Sequence, residues 1–575
     1  MRYILLELKS VIGQGVGAFI LEPAMDPVRF QTHPQDYKHW RLEVDGSAAR
    51  VTMKVEAKHS LRKDYELKLN SYDLGVDIEL ADLLMRLRFE HPGVRAVLLT
   101  ADNEKVFSAG ANIMMLRGSE HDFKVNFCKF TNETRFNIED LQLHQDQHWI
   151  CGVRGVCAGG GYELAAACNE IILADDGNSA VSLPEVELLG VLPGTGGLTR
   201  VVDKRKVRRD HADIFSTIGV KGVKGKRAVQ WRLVDRAIPL SKYKDHLEQR
   251  LSEAAGESSG LNGIELNPIE MEQTDAGLRM EYVDLRVGDA AGQVSDPEKS
   301  SRCATLTIRA PKECPADAGA ALDLGDRWWA LKAFRELELA IFHLRFNYNQ
   351  VGTIIVTTEG DAKVMLATDE LLASGGNWFV DRVRHYMSRV LSRVDLTARS
   401  FYALIEPGSC FAGSLLELAL AADRSFMMDD EDGENAVWLS PMNGGPLPMA
   451  NGLTRIASRF LANPEEGEAL LAKGGDFDAV GAEEAGLVTY ALDDIDWEDE
   501  VPLEIEARAS MSPDALTGME ANLRFCGPET IETKVYGRLS AWQNWIFQRP
   551  NAVGQTGALQ SYGEPTTPKF NWTRT

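Results

Sequence analysis

Three short segments carry residue types and spacings that suit acyl chemistry. The first is Phe107-Ser108-Ala109-Gly110-Ala111-Asn112, directly after a predicted strand. The second is Ala158-Gly159-Gly160-Gly161-Tyr162-Glu163, which opens a predicted helix, and the third is Pro184-Glu185 followed by Leu189–Gly197. Small residues after a strand let a backbone N–H face a ligand with no side chain in the way. A glycine triplet at a helix start does the same and adds the positive end of the helix dipole. Two such N–H groups from separate loops make an oxyanion hole, worth ~3–4 kcal/mol per donor to a carbonyl oxygen gaining charge. Glu163 follows Gly160 by one helical turn, which places its carboxylate near that hole. Glu185 supplies a second carboxylate, and such a pair suits water activation and proton transfer next to a carbonyl.

Alone, a glycine triplet marks close backbone packing, and a lone Glu in a first helical turn complements the dipole. The case for chemistry rests on all three segments occurring in order. Elements must position them, and the chain supplies these. Val51–Val55 alternates as a half-buried strand, Ile78–Phe89 has helical spacing, and Val94–Thr100 and Trp149–Val156 are short apolar runs. The helix-like Gly160–Asn169 comes next. Strand–helix–strand order implies an α/β fold with a largely parallel sheet.

The order FSAGAN, AGGGYELA, LPEVELLGVLPGTGGLTR and KRAVQWRLVD resembles the signature of the crotonase (enoyl-CoA hydratase/isomerase) superfamily. The resemblance implies a crotonase-like spiral of ββα units (the ClpP/crotonase fold), an acyl-CoA thioester substrate, and an oxyanion hole from the N–H groups of Ala111 and Gly160. It puts Glu163 and Glu185 in the catalytic positions. It implies substrate-binding roles for Ser108, Ala109, Asn112, Gly159 and Cys128, the last on a helix expected over Phe123–Leu143. The family usually has Asp where Asn112 stands. Lys54, Lys58, Arg62 and Lys63 lie near the family's CoA phosphate region, with surface solvation as the plainer reading of each.

The pattern recurs. Leu87-Arg88-Phe89 returns as Leu344-Arg345-Phe346, Glu163-Leu164-Ala165 as Glu417-Leu418-Ala419, and Gly197-Leu198-Thr199-Arg200 as Gly452-Leu453-Thr454-Arg455. Val94–Thr100 and Leu233-Val234 return as Val351–Thr357 and Leu487-Val488, all at offsets between 254 and 257. We read a duplication. The domains expected are an N-terminal extension (1–45), a catalytic crotonase-like domain (46–250), a polar linker (251–302), a degenerate crotonase-like domain (303–495) and a helical C-terminal region (496–575). In the second copy AGAN becomes Ala367-Thr368-Asp369, Gly160 and Gly161 are replaced by Ser414 and Leu415, and Pro441 is followed by Met442 in place of a glutamate. One active site per chain is therefore expected. The second copy is read as a structural or dimer-forming module, with binding of a second ligand as the alternative.

The duplicated size, the stretch THPQDYKHW (32–40) and the tail from Arg549 to Thr575 resemble a ring-opening branch of the superfamily from aerobic benzoate breakdown. This implies a carbon–carbon lyase. It would open 2,3-epoxybenzoyl-CoA (a 2,3-dihydro-2,3-dihydroxybenzoyl-CoA type substrate) hydrolytically to 3,4-dehydroadipyl-CoA semialdehyde, releasing formate. Alternatives are a hydratase or isomerase of aliphatic enoyl-CoA, and a non-catalytic CoA-binding assembly protein.

Composition narrows the rest. At 575 residues, 44% hydrophobic and 26% charged, the chain is globular and of several domains. With 62 basic and 85 acidic residues its formal charge is −23, a poor basis for nucleic-acid binding. Eight cysteines with no Cys-x-x-Cys read as free thiols of a cytoplasmic protein. No metal and no cofactor beyond substrate-borne CoA is expected. His144 and His148, four apart, lack a third ligand. No signal peptide or membrane span is convincing. Self-association, as a homodimer, is expected from the resemblance. Gly13, Gly15 and Ala18 mimic a dinucleotide fingerprint, but Pro23 and Pro27 break the helix it needs. Met25 is an alternative start. Gly256–Gly260 matches G-x-S-x-G without the buried strand a nucleophile elbow requires.

Overall fold

Alternating and continuous apolar runs set the strands. In the computed structural model, which describes residues 27–257, 260–430, 433–565 and 567–575, the chain forms two units, 1–266 and 267–575. The fingerprint mimic, Met25 and the Ser258–Ser259 pair lie outside the described residues.

In the first unit β1 (Trp40–Asp45) and β2 (Ala48–Met53) form an antiparallel hairpin. Parallel strands β3 (Ala96–Ala101), β5 (His148–Val153), β7 (Glu170–Asp175) and β9 (Arg236–Pro239) extend it in the order β1-β2-β3-β5-β7-β9. The second, smaller sheet is parallel too: β4 (Val106–Ser108), β6 (Val156–Ala158) and β8 (Ala180–Ser182), in that order. Its strands alternate in sequence with those of the large sheet. The main helices are α1 (Leu74–Phe89), α2 (Ile113–Gly118), α3 (His121–His144), α4 (Gly160–Ala167), α5 (Glu185–Leu189) and α6 (Leu240–Ala255). Tyr243, Leu247 and Leu251 of α6 pack on Leu98, Ile150 and Ile172 of the large sheet, each buried aliphatic contributing about 1.5–3 kcal/mol.

The second unit has one eight-stranded sheet. Its strands β10 (Glu272–Thr274), β11 (Gly277–Arg279), β12 (Val283–Val287) and β13 (Cys303–Arg309) run antiparallel. From β13 the sheet continues in parallel through β14 (Thr353–Glu359), β15 (Ser400–Ile405), β16 (Arg424–Met428) and β19 (Tyr490–Leu492). A short antiparallel pair, β17 (Val437–Leu439) and β18 (Gly475–Phe477), stands apart. Trp497, Val501 and Ile505 of α7 (Asp494–Ala509) pack on Ile355, Tyr402 and Phe426.

Residues 251–302 are not the linker expected. They finish α6 and supply β10–β12, because Leu278, Met280, Val283 and Leu285 bury an apolar set hidden among Gly, Asp and Glu. The AGAN counterpart also differs from expectation: Asp369 lies inside a continuous helix, Ala362–Ser374, not in an altered loop.

Candidate active site

The three strands of the small sheet deliver the three segments. The loop 109–112 leaves β4, Gly159–Glu163 leaves β6, and Leu183–Glu185 leaves β8, all at one end of a parallel sheet. Parallel pairing aligns the C-terminal ends, so segments about 75 residues apart in sequence meet.

The first loop is pinned from below. Tyr72 N–H donates to Gly110 O at 3.0 Å, and Asn112 N–H donates to Tyr72 O at 2.8 Å. Ala109 N–H donates to Leu69 O at 3.2 Å. Asn112 caps α2 by accepting from Met115 N–H at 2.9 Å, while its amide donates to Glu66 O (2.9 Å) and Ser71 Oγ (3.1 Å). Asp there could cap the helix but could not donate to the Glu66 carbonyl, which accounts for the departure from the usual family residue. Ser108 is buried and turned inward, donating to Asn70 O and accepting from Gly110 N–H. The structure thus gives Ser108 and Asn112 loop-holding contacts.

Gly159, at φ +54°, turns the chain into α4, and a β-carbon there would lie 2.5 Å from Glu185 Oε1. A β-carbon on Gly110, at φ +84°, would lie 2.7 Å from Gly160 N, so the two loops are in contact. Among the described residues no hydrogen bond uses the N–H of Ala111 or of Gly160. Two adjoining unused donors are what an oxyanion hole requires.

The two glutamates differ. Glu163 is 2% exposed, and three groups donate to it: Thr195 N–H (3.0 Å) and Gly197 N–H (2.7 Å) to Oε1, and the Thr195 hydroxyl to Oε2. Asn132 braces that loop by donating to Gly194 O, and Arg200 by donating to Thr195 O. Gly197 has no room for a side chain, since a β-carbon would lie 2.7 Å from Glu163 Cγ. Burial still holds the Glu163 carboxyl above its ordinary range, against those hydrogen bonds. Glu185 is half-buried, and its Oε2 has no hydrogen-bond partner among the described residues. Burial first, and the Glu163 charge second, push its carboxyl up to about 7. The pair combines one clamped carboxylate with one loosely held proton carrier matched to neutral pH.

Cys128 of α3 faces the Glu163 loop, 3.5 Å from where a Gly194 β-carbon would stand. Burial, with the Glu163 and Asp77 charges, pushes its thiol up to about 11, so it is a neutral group at pH 7. Lys58 and Lys63 are exposed, while Arg62 is paired with Asp64 at 2.7 Å. His144 ends α3 and contacts Asp140, whereas His148 starts β5 and contacts Glu170, so they share no helix face. Among the described residues no cluster of His, Cys, Asp or Glu could hold a metal, and no helix is long and apolar enough to cross a membrane.

Four site residues had no sequence signal that singled them out. They are Asn70, whose amide donates to Phe107 O at 2.7 Å from a backbone at φ +52°, and Tyr72, Asn132 and Thr195. Thr195 lies within the glycine-rich Leu189–Gly197 segment, whereas Asn70, Tyr72 and Asn132 lie among other polar residues.

Residues 65–262 match the enoyl-CoA hydratase/isomerase family. Over 202 residues the chain is 29% identical to a fatty acid oxidation complex subunit alpha from Shewanella loihica, covering 34% of this chain and 26% of that one. Among solved structures, an enoyl-CoA hydratase from Geobacillus kaustophilus aligns over 38% of this chain and 75% of that one, at 29% identity and a TM-score of 0.33. The full-length similarity lies elsewhere: benzoyl-CoA-dihydrodiol lyase from Aromatoleum evansii is 51% identical over 559 residues, 96% of this chain and 99% of that one. A match that runs through both units, and not only through the segment bearing the two glutamates, means that the chain belongs to the benzoyl-CoA-dihydrodiol lyase family of the crotonase superfamily.

Proposed function

We propose that this chain opens the ring of 2,3-epoxybenzoyl-CoA, releasing formate and 3,4-dehydroadipyl-CoA semialdehyde. The observation that carries the reading is the pairing of two loop amides unused among the described residues with one clamped carboxylate and one whose Oε2 has no hydrogen-bond partner among them, in a chain of this family. The reaction balances with two waters and no oxidant. The first water opens the epoxide to a diol. Loss of a hydroxyl proton breaks the bond between the two oxygenated carbons, the electron pair passes through the ring diene to the thioester, and protonation of the resulting dienolate leaves two aldehydes. The second adds to the formyl group next to the thioester. The bond from that carbon to the α-carbon then breaks, formate leaves, and the electron pair enters the thioester as an enolate. The amides of Ala111 and Gly160 hold the enolate oxygen. Glu163 fixes water, and Glu185 takes its proton and returns one to the α-carbon. The balance calls for no metal, flavin or nicotinamide.

Ala109 and Gly159 line the thioester, and Cys128 lines the acyl side as a neutral group. Support for these placements is their position on the loops and helix around Glu163. The second unit is, in this reading, a diverged duplicate that no longer binds thioester. The repeated motifs, the parallel strand series β13-β14-β15-β16-β19, which has the same order type as β2-β3-β5-β7-β9, and the sheet-packed helices α6 and α7 support it. The reading places the protein in the cytoplasm as a homodimer. Exposed Ile531, Tyr536, Leu539 and Phe547 in the C-terminal helices favour self-association.

The test is formate release from 2,3-epoxybenzoyl-CoA, with the thioester product followed by mass spectrometry. One formate per substrate is expected. Rapid hydration of crotonyl-CoA with no formate from the epoxide would replace this reading with that of a hydratase.

A further inference from the structure

Tyr72 touches both halves of the oxyanion hole and is used by neither carboxylate. Its backbone carries the Ala111 loop through two hydrogen bonds. Its hydroxyl reaches across to the other loop, where a β-carbon on Gly160 would overlap it. Residue 160 is therefore glycine for a reason beyond ligand access: the phenol fills the side-chain place. The ring is held rigidly. It packs at 6.1 Å between centroids from Phe127, with the Arg135 guanidinium 5.2 Å from its centre and that guanidinium fixed to Asp77 at 2.6 Å. Tyr72 is 1% exposed, and its Oη is buried with no well-formed hydrogen bond among the described residues. The Thr195 hydroxyl lies nearby and gives its own proton to Glu163, but it is not in hydrogen-bonding geometry with the phenol. A buried phenol without an acceptor is unfavourable by an amount comparable to a hydrogen bond, unless a ligand supplies one. Burial holds the phenol far above its ordinary range, so it is a donor at every working pH.

We propose that the Tyr72 hydroxyl is the third donor to the thioester oxygen, beside the N–H groups of Ala111 and Gly160. A rigid phenol aimed at an oxygen gaining charge needs no reorganisation during the reaction. This rests on the reading above only in taking a thioester as ligand; the identity of the acyl group does not enter.

The experiment compares binding of benzoyl-CoA with that of S-benzyl-CoA, a thioether of similar shape lacking the carbonyl oxygen. Titration calorimetry is done on the full chain and on Tyr72→Phe. Affinity for benzoyl-CoA should fall about tenfold in the variant, affinity for S-benzyl-CoA should stay within about twofold, and formate release should fall about 100-fold. The melting temperature should not fall, because removing an unpartnered hydroxyl leaves the packing intact. If both ligands weaken equally, or neither weakens, Tyr72 is a packing residue and the proposal is overturned. Should Tyr72→Phe not fold, Tyr72→Leu gives the same comparison. Wild type that prefers the thioester through Tyr72 but releases no formate would sink the ring-opening reading and leave this one standing. Wild type that binds neither compound would overturn both.

Discussion

Each unit of this protein has a loop amide, a buried acid at the start of a short helix, and a polar residue on a neighbouring segment. Only in the first are they free to meet a ligand. There, the Gly160 amide has no hydrogen-bond partner among the described residues. In the second unit the corresponding Ser414 N–H donates to Asp369 Oδ2 at 2.7 Å, and the hydroxyls of Ser414 and Ser440 donate to the same carboxylate. Asp369 is 0% exposed, and a β-carbon on Gly413 would overlap it. The protein's own carboxylate thus takes up the amide of Ser414. Glu417, the counterpart of Glu163, is likewise consumed: Arg455 donates to it at 2.8 Å and Asn443 at 2.7 Å, and Arg455 is shared with Asp395. The difference teaches that the presence of polar groups does not by itself leave a site open to a ligand. In the second unit each one has an internal partner, which satisfies burial and leaves the group occupied.

The comparison can be broken most sharply at the acids. Glu163→Gln and Glu185→Gln should each lower formate release about 1,000-fold or more, while Glu417→Gln leaves it unchanged. Equal effects in the two units would erase the distinction. Gly160→Ser transfers the second unit's residue into the first. Its β-carbon meets the Tyr72 hydroxyl, and a loss of about 100-fold is expected in turnover with the fold retained by circular dichroism.

The titrations sharpen the contrast. Burial pushes Asp369 up to about 7 in the folded chain. An acid raised on folding stabilises the protein at low pH and loses that contribution as pH rises through its folded value. The unfolding free energy from urea titrations should therefore fall from pH 5 to 7, and the fall should be about 2 kcal/mol smaller in Asp369→Asn. Activity, by contrast, should turn on Glu185. The pH profile of kcat/KM should bend near pH 7, and that bend should be missing from the residual activity of Glu185→Gln. Thr195→Val removes one of three donors to Glu163. A loss of about tenfold is expected, with Thr195→Ser near wild type. An unchanged Thr195→Val would show that the two backbone donors suffice.

Much of the fold was legible because its periodicity is local. The apolar run at 94–100 and the helical spacing at 78–89 became the expected elements, while the run at 149–156 became β5 with its last residue starting β6. The strands β10–β12 were missed because short half-buried strands in Gly- and Asp-rich sequence leave only a two-residue alternation, easily read as linker. Of the candidate site, Glu163, Glu185 and the two glycine-bearing loops were visible as motifs. Tyr72 was not, because nothing in its surrounding sequence, Asn70-Ser71-Tyr72-Asp73, distinguishes a phenol at a ligand from one in a core.

The sequence by itself determined which residues could do chemistry and in what order they occur: the small residues after β4, the glycines before α4, the paired acids, and a Met after Pro441 where the first unit has Glu after Pro184. Only the tertiary structure decided what each is free to do. Parallel pairing of β4, β6 and β8 brings the loops together, burial lifts Glu185 to about 7, and the presence or absence of an internal donor separates Glu163 from Glu185 and one unit from the other. The physical reason is that a motif specifies groups, whereas reactivity depends on which of their hydrogen bonds are left unmade, and partners for those bonds come from residues far away in sequence.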